Sequence, residues 1–324
     1  MRTTLIAILM IITVGTATAA TADSLPSWNE GPVKAAILDW LAAVTDTAGT
    51  DFIPVPERIA VLDNDGTSWC ERPDGAPGDF QVDLARGLAA RGLVDAGAMP
   101  FKAWFADDRG ALREYGWRES YSQLSAAFAG MPVTAYRDSA RAWLDRHRHA
   151  DFGVPYTDLY YLPMLELMRL LEQHDFQVWI VTAAAQDFTR AFSEEVIGIP
   201  PERIIGTWVE AVYVEHADGT ASLVRGEAET YNGHEHKAAN IEARIGRRPV
   251  FAAGNSNNDE AMCRYAVTGA RRGLAIWIEH DDKEREYEYG RPGRIGELCA
   301  EHPAAHAVSM KKDWARVFAP GVGD

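Results

Sequence analysis

Cysteine is scarce in this chain of 324 residues: only Cys70, Cys263 and Cys299 occur, far apart and in no Cys-x-x-Cys spacing. That excludes a thiolate zinc site and a disulfide-dense scaffold. An odd count leaves at least one thiol unpaired, and each cysteine reads as a small buried hydrophobe. Basic residues are also outnumbered, 32 Lys and Arg against 47 Asp and Glu, for a net charge of −15. The deficit argues against a surface that neutralises a nucleic-acid backbone and against a polybasic membrane patch. It does not bar a small anionic substrate, because a metal ion and one or two cations reverse the field inside a site. No apolar run reaches the ~20 residues that a membrane span requires. The longest such run near the start, residues 5–14, follows Arg2 and precedes Ala17-Thr18-Ala19 and Ala20-Thr21-Ala22. This is the layout of a secretory signal peptide over residues 1–22. The mature protein is therefore expected in the periplasm or secreted, with no stable membrane anchor after cleavage.

What is present suits a packed protein: 47% of residues are apolar and 10% aromatic, enough for one large domain or a core with an inserted lobe. Residues 32–44 have helical spacing, with Pro32 suited to a first turn. Residues 58–63 form a short β-rich run that stops abruptly in a polar turn. Residues 83–92, 100–105, 119–128 and 134–149 read as short amphipathic helices, and no strand is expected between 70 and 161. A helix over 163–173 and a buried-type strand over 176–182 follow. The second half alternates helix and strand as a parallel sheet does. Helices fall at 187–196, 237–245 and from 260, and strands at 248–254, 274–278 and 307–309. A hairpin over 208–214 and 221–224 turns at Asp218-Gly219.

The strand ending at Asp63 runs into Asp63-Asn64-Asp65-Gly66-Thr67. In extended chain, residues i and i+2 point the same way, so Asp63 and Asp65 present two carboxylates to one centre. One can attack as nucleophile while the other exchanges a proton with the leaving group. Gly66 lets the backbone turn sharply past the site. An Asx-turn without chemistry would use the same residues.

Further motifs follow in order: Val178-Trp179-Ile180-Val181-Thr182, then Lys237, then Gly254-Asn255-Ser256-Asn257-Asn258-Asp259. Together with Asp63 to Thr67 this set resembles the haloacid dehalogenase superfamily, in its Asp-x-Asp-x-Thr phosphatase branch with phosphoserine phosphatase-like members. The resemblance implies an α/β fold, a Rossmann-like three-layer parallel sheet core over residues 23–69 and 162–324. It also implies a mobile helical cap inserted over residues 70–161. By the same resemblance Asp63 attacks phosphorus, Asp65 protonates the leaving alcohol and then activates water, Thr182 hydrogen-bonds a phosphoryl oxygen and Lys237 offsets charge. The implied cofactor is Mg2+, held by Asp63, Asp65 through its backbone carbonyl, and Asn255, with Asp259 beside them. Carbon–halogen cleavage has no leaving alcohol to protonate, so the second aspartate favours a phosphatase over a dehalogenase.

One departure stands out. The fourth motif of the family begins Gly-Asp, whereas Asn255 follows Gly254 here; an amide oxygen still ligates Mg2+ but removes one negative charge. Thr67, Glu71 and Arg72 follow the nucleophile and are expected at the substrate, Glu71 facing a cation and Arg72 an anion. Trp104, Tyr115, Trp117, Tyr121, Tyr136 and Trp143 could face a quaternary ammonium group, but read more simply as the insert's own core. His234 and His236 precede Lys237 in a loop entering a helix, where substrate contact or exposure is the expectation. The resulting reading is an exported Mg2+-dependent phosphomonoesterase acting on a small phosphorylated metabolite. A phosphotransferase with an alcohol acceptor and a non-catalytic binder of a phosphorylated ligand are the alternatives.

Overall fold

Every side chain of the short strand β1 (Ile59–Leu62) is buried, as a strand covered on both faces must be. The computed structural model describes residues 24–73, 75–290 and 292–322. The signal segment expected over residues 1–22 lies outside the described residues. Ahead of β1 stands α1 (Pro32–Thr45), with proline in its first turn. After β1 come α2 (Ala76–Ala89), α3 (Phe101–Phe105), α4 (Arg109–Tyr115), α5 (Trp117–Ala126), α6 (Val133–Arg146) and α7 (Leu162–Gln173). The chain continues through β2 (Gln177–Ala185), α8 (Gln186–Arg190), α9 (Ser193–Ile197), β3 (Ile204–Glu215), β4 (Ala221–Thr230) and α10 (Glu235–Ile245). It closes with β5 (Phe251–Gly254), α11 (Glu260–Val267), β6 (Leu274–Asp281), β7 (Glu288–Tyr289), α12 (Gly293–Glu301), β8 (Ala305–Ser309) and α13 (Met310–Asp313).

Six strands run parallel in the order β3-β2-β1-β5-β6-β8, with β4 antiparallel outside β3 and β7 antiparallel against β6. The period-2 alternation of β1 separates the two faces. Ala60 and Leu62 pack with Ile37, Trp40 and Leu41 of α1 and Leu167 and Leu171 of α7. Ile59 and Val61 pack with Ile241 of α10, Met262 and Cys263 of α11, and Ile295 and Leu298 of α12. The result is the three-layer α/β architecture that the sequence resemblance implies.

Between β1 and α7 the chain is helical, and its apolar residues join the core rather than forming a separate cluster. Phe80 meets Phe188 of α8 at 5.4 Å and Tyr136 at 5.2 Å. Trp104, Tyr136 and Trp143 are buried, while Tyr115 and Tyr121 are exposed. Trp104 packs on Trp117 and Tyr121 at 5.9 and 4.8 Å, the behaviour of a local core. The β3–β4 hairpin reaches across to this insert: Gly130 N–H donates to Arg225 O at 2.7 Å and Arg225 N–H to Met131 O at 2.8 Å. Asp187 of α8 takes Arg137 of α6 at 2.7 Å and Arg225 of β4 at 3.3 Å.

Several elements differ from the sequence reading. The helix expected over 187–196 is two short helices, α8 and α9. Helix α4, capped by the Asp108 side chain, and α12 were not expected, since Gly110 and Gly293 obscure their periodicity. All three cysteines are free, Cys70 and Cys263 buried.

Candidate active site

Parallel pairing sets the C-terminal ends of β1, β2 and β5 side by side, Leu62 pairing with Ile180 and with Ala253. Ligand sites of open α/β sheets form at such strand ends. The chain leaving them brings Asp63, Asp65, Thr67, Thr182, Asn255 and Asp259 together, and the first turn of α10 adds Lys237. Asp63 N–H still donates to Ala253 O at 3.0 Å. The loop then curls on itself, Ser68 N–H and Trp69 N–H both donating to Asn64 O at 2.8 and 3.0 Å. Ser68 Oγ closes the turn onto Asp63 O at 2.8 Å. Gly66 has φ +76°, and a Cβ there would stand 1.9 Å from Asn255 Nδ2 and 2.7 Å from Glu71 Oε1. Only glycine fits that position.

Lys237 is fully buried and its Nζ donates to Asp63 Oδ1 and to Asp259 Oδ1, each at 2.6 Å. Asp259 Oδ2 accepts from Asn255 N–H at 3.1 Å, Ser256 N–H at 3.0 Å and Ser256 Oγ at 3.2 Å. Both oxygens of Asp259 are thus engaged by protein donors. Thr182 Oγ1 donates to Asp65 Oδ2 and accepts from Ala184 N–H, each at 2.9 Å. Thr67 Oγ1 lies 3.3 Å from Asn255 Oδ1 and 3.5 Å from Asp63 Oδ2.

Burial, reinforced by the Asp259 charge, pushes Asp63 well above the ordinary carboxylate range even though Lys237 opposes it. Burial and the Glu71 charge push Asp65 up to about 6, against the Thr182 hydrogen bond. Burial alone would discharge Lys237, but Asp259 and Asp63 outweigh it and hold the ammonium above its usual value. The charged neighbours of Asp63 and Asp65 are each other, Asp259, Glu71 and Lys237. Four carboxylates therefore face one ammonium, a surplus that a divalent cation would neutralise. Among the described residues, no group of three or more His, Cys, Asp or Glu side chains is arranged to cage an ion. The donors on hand are carboxylate, amide and backbone oxygens, which suit a hard cation that keeps part of its water.

Glu71 does not stand free: its Oε1 accepts from Asn255 Nδ2 at 3.2 Å, and its charge acts on the neighbouring Tyr289 hydroxyl, which lies 3.0 Å from His280 Nε2. Arg72 is exposed, its guanidinium 4.3 Å above the Tyr289 ring. His234 and His236 are exposed at the start of α10.

Sequence reasoning missed the residues that support the loops from behind. Asn232 is fully buried and its Nδ2 donates to Thr182 O at 2.8 Å. His280 Nε2 lies 2.7 Å from Gly66 O, and its Nδ1 lies 3.1 Å from the buried Glu286 carboxylate. Glu286 Oε1 also accepts from Tyr161 Oη at 2.9 Å. The His280–Gly66 and Tyr161–Glu286 partners are more than a hundred residues apart, and no local pattern marks any of these contacts. Only the extension of β6 past Ile278 to Asp281 would have brought His280 to the site.

The family model of haloacid dehalogenase-like hydrolases matches residues 60–264. A search of curated proteins finds no match. Among solved structures, a conserved protein of unknown function from Anaerococcus prevotii has a TM-score of 0.54 at 13% identity, covering 89% of this chain and 96% of that one. A protein of unknown function from Bordetella pertussis has a TM-score of 0.50 at 16% identity, covering 77% and 98%. A cytosolic 5'-nucleotidase IIIB bound to cytidine has a TM-score of 0.45 at 11% identity, covering 89% of each chain.

Proposed function

The chain belongs to the haloacid dehalogenase-like hydrolase family, and on that footing we propose that it is an exported, Mg2+-dependent phosphomonoesterase acting on a small phosphorylated metabolite. The observation that carries the reading is the pairing of Asp63, bound by Lys237 at 2.6 Å, with Asp65, bound by Thr182 at 2.9 Å. Asp63 is held beside a fixed ammonium that opposes the rise burial and Asp259 impose on its carboxyl, and its neighbour Asp65 is tuned toward neutrality.

In this mechanism the Asp63 carboxylate attacks phosphorus, forming the aspartyl–phosphate bond as the ester P–O bond breaks. Asp65, with a carboxyl pushed up to about 6, gives its proton to the departing alkoxide; such tuning suits an acid that works near neutral pH. The same group then takes a proton from water, which attacks the phosphoaspartate, frees Asp63 and releases inorganic phosphate. Lys237 keeps Asp63 oriented and offsets the charge that gathers on the phosphoryl oxygens. Thr182 Oγ1 orients Asp65 through the bond to Oδ2 and would turn its hydroxyl to a phosphoryl oxygen when substrate binds. Mg2+ would be held by Asp63, the Asp65 carbonyl and Asn255 Oδ1, with Asp259 locking the loop behind them, and would neutralise charge on the transferring group. Export is supported by the signal-like layout of residues 1–22.

Hydrolysis of a chromogenic phosphomonoester by the purified protein, with Mg2+ and with chelator, tests the proposal. Turnover should be lost in chelator and in Asp63→Asn. Full activity in Asp63→Asn would overturn the mechanism. Phosphorylation of an added alcohol in preference to water would identify a phosphotransferase, and retention of a phosphorylated ligand without turnover a binding protein.

A further inference from the structure

We infer that Glu71 orients the amide of Asn255 and supplies the negative charge that an amide at that position gives up. The inference rests on the Mg2+ reading above and concerns what this chain does to present the ligand. An amide has one acceptor end and one donor end, and only the acceptor end can hold a cation. The Asn255 backbone is fixed on both sides, its N–H on Asp259 Oδ2 at 3.1 Å and its carbonyl under Trp277 Nε1 at 2.9 Å. The side chain's remaining choice is which end faces which way.

Glu71 decides it. Its Oε1 lies 3.2 Å from Asn255 Nδ2, and an ionised carboxylate offers acceptors only. The NH2 end must face Glu71, so Oδ1 is turned the other way, to within 3.3 Å of Thr67 Oγ1, which itself lies 3.5 Å from Asp63 Oδ2. The oxygen is thus presented on the side of the nucleophile. Beside Glu71 stands Tyr289, its hydroxyl 3.0 Å from His280 Nε2. The Tyr289 ring packs against the Arg72 guanidinium at 4.3 Å and the His280 ring at 4.0 Å. The bare Cα of Gly66 leaves room for the whole contact. Asn255 and Glu71 together bring one oxygen ligand and one negative charge, which a single aspartate would combine in one side chain.

Calorimetric titration of Mg2+ into the metal-free full chain reads this without catalysis. Glu71→Leu should weaken Mg2+ binding about tenfold or more, the range found for groups that orient a metal ligand. Glu71→Gln keeps a carbonyl that can accept from Nδ2 and loses only the charge, so it should cost less than Leu. In an Asn255→Asp background the two ends of residue 255 are alike, so Leu should cost no more than Gln. Leu costing no more than Gln with Asn255 in place would overturn the orienting role. Unchanged affinity in both variants would remove Glu71 from the site altogether. Melting in chelator checks folding, and Glu71→Ala replaces Leu if that chain does not melt cooperatively. Failure of the unsubstituted protein to bind Mg2+ would instead overturn the metal reading itself, and this inference with it.

Discussion

Lys237 Nζ stands 2.6 Å from Asp63 Oδ1 and 2.6 Å from Asp259 Oδ1, with no part of the lysine side chain exposed. One ammonium thus ties Asp63, the proposed nucleophile at the end of β1, to the loop after β5, and the desolvation it suffers is offset only while both carboxylates remain.

Lys237→Met is expected to remove turnover and to destabilise the metal-free protein by about 3–5 kcal/mol, the usual cost of breaking a buried ion pair from one side. Asp63 is already held well above its ordinary value by burial and by Asp259, and losing Lys237 raises it further. A carboxyl so raised favours the folded state when protonated, so the deficit should be largest at pH 8 and shrink toward pH 4. Urea denaturation in chelator at both values checks this, and an equal loss at both would contradict it.

Asp65 sets function against stability. Its carboxyl is raised from 3.8 to about 6 in the folded protein, so its stabilising contribution is complete below about 4 and is lost as pH rises through 6. Asp65→Asn should therefore stabilise the metal-free protein at pH 8 by on the order of 2–3 kcal/mol, and leave it unchanged at pH 4. The same substitution should slow hydrolysis of alkyl phosphates by about 10²–10⁴, with less effect on a phenolic leaving group that needs no proton. Melting curves across pH, paired with the two substrates, separate the effects.

Thr182 tests the orientation of that acid. Thr182→Val deletes the hydrogen bond to Asp65 Oδ2 and leaves Ala184 N–H without its acceptor, and should lower kcat about tenfold or more. Thr182→Ser keeps both contacts and should remain within about threefold. If Val and Ser behave alike, the hydroxyl has no part in holding Asp65.

His280, near the end of β6, supports the 63–67 loop through Gly66 O. Removing its ring in His280→Leu strips Gly66 O of its 2.7 Å partner and leaves Glu286 buried beside an apolar group. Glu286 keeps Tyr161 Oη and Tyr287 N–H, so a loss of about 1–3 kcal/mol in chemical denaturation is expected, and a variant as stable as the parent would show that the pair carries no structural load.

The sheet core was legible because it rests on local patterns: all four residues of β1 are buried and apolar, and the strand ends in paired carboxylates. The ordered motifs then named Asp63, Asp65, Thr182, Lys237, Asn255 and Asp259, which the fold gathers. What sequence could not supply was the direction in which a side chain turns. Glu71 looked free to meet a substrate cation, yet it is taken by Asn255, a partner 184 residues away. The Asn232 amide under Thr182 and the His280–Glu286 pair under Gly66 were invisible for the same reason. Helix α12 was lost to Gly293 and Gly296, which dilute its apolar face.

The β3–β4 hairpin bonds to residues 130 and 131, and Asp187 holds Arg137 and Arg225 together, so the helical insert is fastened to the sheet by contacts beyond its own two chain connections. Any displacement that parts the insert from the hairpin must break those backbone bonds and the shared ion pair, so its cost is set by Arg225 and Asp187 as well as by the connecting chain.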